Sequence, residues 1–210
     1  MSTNKKEENN QVTIEGEISG EFVFSHEIFG ERFYMIDIST RRLSGVCDSI
    51  PVTVSERLID VTQNYIGQYV CVRGQFRSYN QNDGSRVRLI LSVFAQEIEF
   101  AEKLMEDVNQ IYLDGYICKE PVYRKTPLGR EIADLLIAVN RSYGKSDYIP
   151  CICWGRNARF ASGLGIGSHI RIKGMVQSRQ YIKKLDNDRT EERVAYEVSI
   201  SRLEVVENEE

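Results

Sequence analysis

The sequence has no long hydrophobic run: its apolar stretches are short, such as Leu135–Val139, and none approaches the ~20 residues of a membrane-crossing helix. The first ten residues, Met1 to Asn10, contain no apolar core, which argues against a secretory signal. Histidine is limited to His26 and His169, which stand far apart with no Ser or Cys partner in a nucleophile motif. Cysteine is odd in number, 5 residues at irregular spacing, so no disulfide framework is implied. No nucleophile, metal cluster or carboxylate pair stands out, so neither catalysis nor a cofactor is expected. What is present, 41% hydrophobic and 28% charged residues, fits a globular protein of a reducing cytoplasm.

The net charge of −4 conceals a gradient. Residues 12–100 carry −4, residues 109–203 carry +6, and the last seven residues carry −4. A polyanion is therefore expected to bind the second half.

An internal repeat organises the chain. At an offset of 99, Gly16, Ile18, Val23, Gly30 and Ile38 fall on Gly115, Ile117, Val122, Gly129 and Ile137. Arg42, Gly45, Asp48, Ile50, Pro51 and Arg57 likewise meet Arg141, Gly144, Asp147, Ile149, Pro150 and Arg156. The offset becomes 100 at Gly74 and Ser78, and 107 is assigned to the last strand, setting Val87–Val93 on Val194–Ile200. Each copy alternates with period two over five segments, which predicts five strands. A helix-length stretch separates the third and fourth, clearest at Ser55–Tyr65, where Leu58, Val61 and Tyr65 recur at helical spacing. The expected fold is all-β: two tandem OB-fold five-stranded β-barrels, each with a short helix between strands 3 and 4. Residues 1–11 are expected to form a disordered N-terminal arm, 12–100 the first barrel, 101–108 a polar connector, 109–206 the second barrel and 207–210 an acidic tail.

Strand parity separates two faces on the third strand of copy two. Ile149, Cys151 and Cys153 share one side, while Tyr148, Pro150, Ile152 and Trp154 share the other. With the first set in the core, the aromatics stand outside. The fourth strand then presents Arg171 and Lys173, and beyond them Arg179 and Tyr181 share one parity. Exposed rings beside cations suit a single nucleic-acid strand, whose bases stack while its phosphates are neutralised. A protein-facing aromatic surface is the alternative on face chemistry alone.

Copy two resembles the bacterial single-stranded DNA-binding protein family across nearly its whole length. The resemblance lies in Asn109–Gly115, Pro121–Gly129, Ala138–Tyr143, Asp147–Trp154 and Lys173–Tyr181, taken in order and spacing. It implies base stacking by Tyr143, Tyr148, Trp154 and Tyr181 and backbone contacts from Arg124, Arg156 and Arg179. Arg141, Arg171 and Lys173 complete the candidate set. The implied function is sequence-independent binding of single-stranded DNA, protecting it during replication, repair or recombination. A primosome-like or structural adaptor binding protein partners is the alternative. In copy one the equivalents of Tyr143, Tyr148 and Trp154 are Ser44, Ser49 and Ser55, so the stacking platform is missing there. That copy is expected mainly to supply a structural half, with weaker contacts open to Arg73, Arg77 and Tyr79. Lys183 and Lys184 stand in a long polar loop, as a hairpin tip or a phosphate clamp. Family members commonly assemble four OB folds, which the resemblance implies a chain carrying two would reach as a homodimer. The family's acidic tip closing in Phe has no counterpart in Glu204–Glu210, so recruitment of replication proteins by that route is not expected.

Three further patterns receive bland readings. Ser162–Gly167 has the wrong spacing for a dinucleotide loop and reads as a turn. Cys151 and Cys153 read as small buried hydrophobes, with no metal site. Asn140-Arg141-Ser142 is a sequon without a secretory context.

Overall fold

The computed structural model describes residues 9–42, 44–82, 87–102, 108–184 and 190–207. The connector residues 103–107, the tail residues 208–210 and the side chain of Lys184 lie outside the described residues.

The first half forms β1 (Asn10–Ile18), β2 (Val23–Ile28), β3 (Glu31–Arg41), β4 (Cys47–Ser55), β5 (Tyr69–Asn82) and β6 (Val87–Ala101). The second forms β7 (Asn109–Ile117), β8 (Val122–Lys125), β9 (Glu131–Asn140), β10 (Ser146–Trp154), the helix α1 (Gly155–Ala161), β11 (His169–Lys184) and β12 (Thr190–Val205). Each half closes a five-stranded barrel. In the first, β1 pairs with β5, β5 with β6, β6 in parallel with β4, β4 with β3, and β3 back with β1. The second repeats this through β7, β11, β12, β10 and β9. The extra strands β2 and β8 hang as hairpins on β3 and β9.

Alternation makes these barrels. Val12, Ile14 and Ile18 of β1 are buried on one parity, as are Ile111, Leu113 and Ile117 of β7. The glycines between them mark where a strand changes partner. A Cβ on Gly16 would lie 2.3 Å from the Ser39 carbonyl oxygen, and one on Gly115 would lie 2.6 Å from that of Ala138. Only glycine admits this approach of β1 to β3 and of β7 to β9.

The two barrels are joined by β1 and β7, which pair antiparallel about Val12↔Ile111, running from Asn10↔Leu113 to Ile14↔Asn109. Val12 and Ile111 are themselves equivalent in the repeat, so this pairing lies on a pseudo-two-fold axis. All twelve strands thereby form one continuous sheet. Asn10 and Gln11, expected in a disordered arm, belong to β1. Asn10 is buried, its Nδ2 donating to the Phe76 carbonyl at 2.8 Å and its Oδ1 accepting the Phe76 N–H at 2.9 Å.

A polar clamp secures the junction. Asp147, at the start of β10, accepts from the Ser78 N–H of the other barrel at 2.6 Å. Arg141 donates to Asp147 at 2.6 Å and to the Ser78 carbonyl at 2.9 Å. The repeated Arg, Asp and Ser positions are thus interface residues.

Two further expectations are corrected. The helix predicted over Ser55–Tyr65 is a series of turns. Asp60 accepts from the Thr62 N–H at 3.0 Å and Asn64 from that of Ile66 at 3.0 Å, so side chains take the local bonds that a helix would use. The offset of the last strand is 105, not 107. Val52 pairs with Val93 as Cys151 pairs with Val198, so Val93 and Val198 are equivalent. A two-residue slip keeps every side chain on the same face, so alternation does not register it.

Candidate nucleic-acid interface

β10 carries two of the candidate rings outward, with Tyr148 47% and Trp154 40% exposed. Ile152, expected beside them on the surface, is instead buried between Asp134 of β9 and Ser199 of β12. Trp154 is oriented by its Nε1–H, which donates to Ser199 Oγ at 3.3 Å. Behind the face, Cys151 and Cys153 are buried, and burial pushes the Cys153 thiol up to about 12, so these thiols act as core hydrophobes.

The cations form three groups. Arg124 lies in one cross-strand row with Ile132 and Trp154, and its guanidinium is held by Asp134 at 2.8 Å. Arg156 is exposed in the first turn of α1, directly after Trp154. Arg179 and Tyr181 sit together on β11, with the guanidinium 5.8 Å from the ring centroid.

A groove of about 730 Å³ at the barrel junction forms the third group. It is lined by Arg77 of the first barrel and by Arg141, Tyr143 and Lys145 of the second. Tyr143 is 99% exposed and has φ 63, a left-handed conformation that a bulky side chain rarely adopts. Arg141 lines this groove but spends its Nη2 on the clamp, so it is a junction residue first. Burial, and then the charge of Arg141, lower the Arg77 pKa from its ordinary value.

The remaining candidates are spread over both barrels. Arg171 is paired with Asp114 at 2.8 Å. Lys173 lies opposite Tyr112 of β7 and lines the groove over β1 and β7. Arg73 is held by Glu99 at 3.0 Å and Glu97 at 3.5 Å on the first barrel. Tyr79 is exposed on β5, and Lys183 is half-buried near the end of β11.

Sequence reasoning missed three features. Glu197 is a buried carboxylate on the outer parity of β12, accepting from Gln177 Nε2 at 2.8 Å and lying 3.7 Å from Arg179. It braces the cation beside Tyr181, and its signal was an acidic residue between core positions Val198 and Tyr196. Lys145 joins the junction groove. The first barrel, assigned no platform, holds a row of its own: His26 stacks on Phe33 at 4.9 Å, Phe33 meets Phe94 at 5.6 Å, and Arg77 covers Phe94 at 3.9 Å. With the corrected offset, Phe94 is the equivalent of Ser199, the residue that holds Trp154, and pairs with Thr53, the counterpart of Ile152. The wrong offset hid that exchange.

Residues 108–206 match the model described as the Single-strand binding protein family. Single-stranded DNA-binding protein A of Bacillus subtilis is 35% identical over 81 residues, covering 35% of this chain and 47% of that protein. Single-stranded DNA-binding protein 2 of Listeria monocytogenes is 35% identical over 88 residues, covering 39% of this chain and 53% of that protein. The chain spans about half the length of the curated relatives it matches. The wild-type single-stranded DNA binding protein from Thermus aquaticus shares the fold over 96% of this chain and 94% of its own, with TM-score 0.74 at 21% identity. A deletion mutant of the same protein gives TM-score 0.76 at 20% identity, covering 95% of each chain.

Proposed function

We propose that the chain, whose second barrel matches the single-strand binding protein family, binds single-stranded DNA without sequence preference. It is a binding protein and not an enzyme. Bases stack on Trp154, Tyr148, Tyr143 and Tyr181, while Arg156, Arg179, Arg124, Arg77 and Lys145 neutralise phosphates. The observation that carries this reading is the exposure of all four rings on one barrel, two of them on a strand whose opposite parity is core.

The first barrel supplies the structural half. Its own aromatic row is already stacked upon itself, with Phe33 8% exposed and Phe94 under Arg77, so its ring faces are largely spent. Two such chains place four barrels around one strand, and two-fold closure is the commonest route to such a pair. Protection of exposed strands in the nucleoid during replication, repair or recombination is the process this chemistry serves.

Trp154 is the single tryptophan, so its fluorescence reports one stacking position. Titration with oligo-dT is expected to quench it. The affinity should fall by roughly 0.7 log units per log salt for each phosphate neutralised. Unchanged emission at both low and high salt would overturn the reading and favour a protein partner for the aromatic face.

A further inference from the structure

The pseudo-symmetry breaks at the two ends of the sheet. Among the described residues β2 bonds only to β3 and β8 only to β9, so these strands are the open edges of the twelve-stranded sheet. They are equivalents in the repeat, and their hairpins turn on matching glycines, Gly30 with φ 78 and Gly129 with φ 76. Their charges are opposite. Residues 20–32 hold Glu21, Glu27 and Glu31 against Arg32, a net of −2. Residues 119–131 hold Lys119, Arg124, Lys125 and Arg130 against Glu120 and Glu131, a net of +2.

Both edges are also apolar and open to solvent. Val23 and Phe24 are more than half exposed on β2, as is Val122, by half, on β8. The tip of the acidic hairpin holds Phe29 fully exposed at φ 50. A bulky residue in that conformation is costly, and none of the described residues covers its ring.

An open strand edge is a template for another strand, and charge decides which one it admits. Pairing like edges across a two-fold axis would set −2 against −2 or +2 against +2. Pairing unlike edges sets acid against base. We propose that a second copy of this chain docks its basic β8 hairpin against the acidic β2 edge, head to tail. The two patches differ and lie at opposite ends of the strand order, so a docked pair keeps one free edge of each kind, to which further copies add in a row. Under the DNA-binding reading, on which this consequence rests, such a row binds a long strand cooperatively.

The test needs no DNA. In sedimentation velocity at low salt, the unmodified chain is expected to form species larger than two chains as concentration rises, and to lose them at high salt. E21K/E27K leaves both hairpins at +2, and K119E/K125E leaves both at −2, so each variant alone should stop growing. An equimolar mixture restores unlike edges and should grow again. Growth of either variant alone, or failure of the mixture, would overturn the proposal. Trp154 quenching by a short oligo-dT, measured on the same samples, separates this failure from a failure of DNA binding itself.

Discussion

Asp48 and Ser178 belong to different barrels, yet one carboxylate oxygen of Asp48 accepts both the backbone N–H of Ser178 at 2.7 Å and its Oγ–H at 2.9 Å. Arg42 braces that carboxylate through two bonds of 2.6 Å and reaches the Ser178 carbonyl at 3.0 Å. The Arg141–Asp147–Ser78 set makes the same contact in the opposite sense. The barrels therefore hold each other by a reciprocal pair of clamps.

Removing one clamp should loosen the junction. Asp48→Ala leaves Ser178 without its acceptor and Arg42 without its counter-charge, and is expected to cost roughly 3 kcal/mol in urea unfolding. Arg42→Leu in the same chain should recover part of that loss, because the stranded charge goes with it. A variant as stable as the parent would show that the clamp does not secure the barrels.

The clamp also sets a response to acid. Burial pushes the Asp48 carboxyl up, but the bonds from Arg42 and Ser178 outweigh it and hold the pKa below its ordinary value. Asp114 behaves alike, with burial outweighed by Arg171 and His169. A lowered folded pKa means stability that is fully present above the unfolded value of about 3.9 and lost as pH falls through the folded one. Urea midpoints measured from neutral pH downward should hold to about pH 4 and then drop, and Asp48→Asn should flatten the drop.

Tyr143 couples strain to binding. Its backbone sits at φ 63, ψ 32 with the ring in solvent. Tyr143→Gly is expected to raise stability by about 1 kcal/mol, through relief of the left-handed cost. The same variant should lose about 1–3 kcal/mol of oligo-dT affinity. Opposite signs in the two measurements distinguish a binding ring from an ordinary turn residue.

Gly174 is a test of close approach. A Cβ there would lie 2.2 Å from the Ser199 carbonyl oxygen, at the irregularity between Lys173 and Gly174, whereas one on Gly165 would meet nothing within 4 Å. Gly174→Ala should cost roughly 1–3 kcal/mol in urea unfolding. It should also shift Trp154 emission, because Ser199 holds the indole. Gly165→Ala should leave the emission unchanged.

The barrels were legible because burial on one face forces alternation, and Val12, Ile14 and Ile18 announce it. The repeat was legible at Arg42, Asp48 and Ser78, though nothing in one sequence says that these residues meet across a junction. What stayed hidden has a common cause. Parity survives a two-residue slip, so Phe94 was not matched to Ser199, and the ring row of the first barrel went unseen. Helical spacing at Leu58, Val61 and Tyr65 was real, but Asp60 and Asn64 offered the backbone nearer partners. Ring exposure at Tyr148 and Trp154 followed from strand parity. The contacts of Arg141 with Ser78 and of Arg171 with Asp114 join residues distant in sequence, which parity does not reveal.

The pairing of β1 with β7 has a thermodynamic consequence. Two separate barrels meeting through this strand pair would part on dilution, because their association would depend on concentration. Within one chain the encounter is intramolecular, and the effective concentration of each barrel for the other is fixed by the tether. A halved protein pool therefore does not halve the fraction of paired barrels. Covalent fusion also frees each half from its twin: a substitution at Ser55 leaves Trp154 untouched, so one barrel can specialise while the other keeps the pair together.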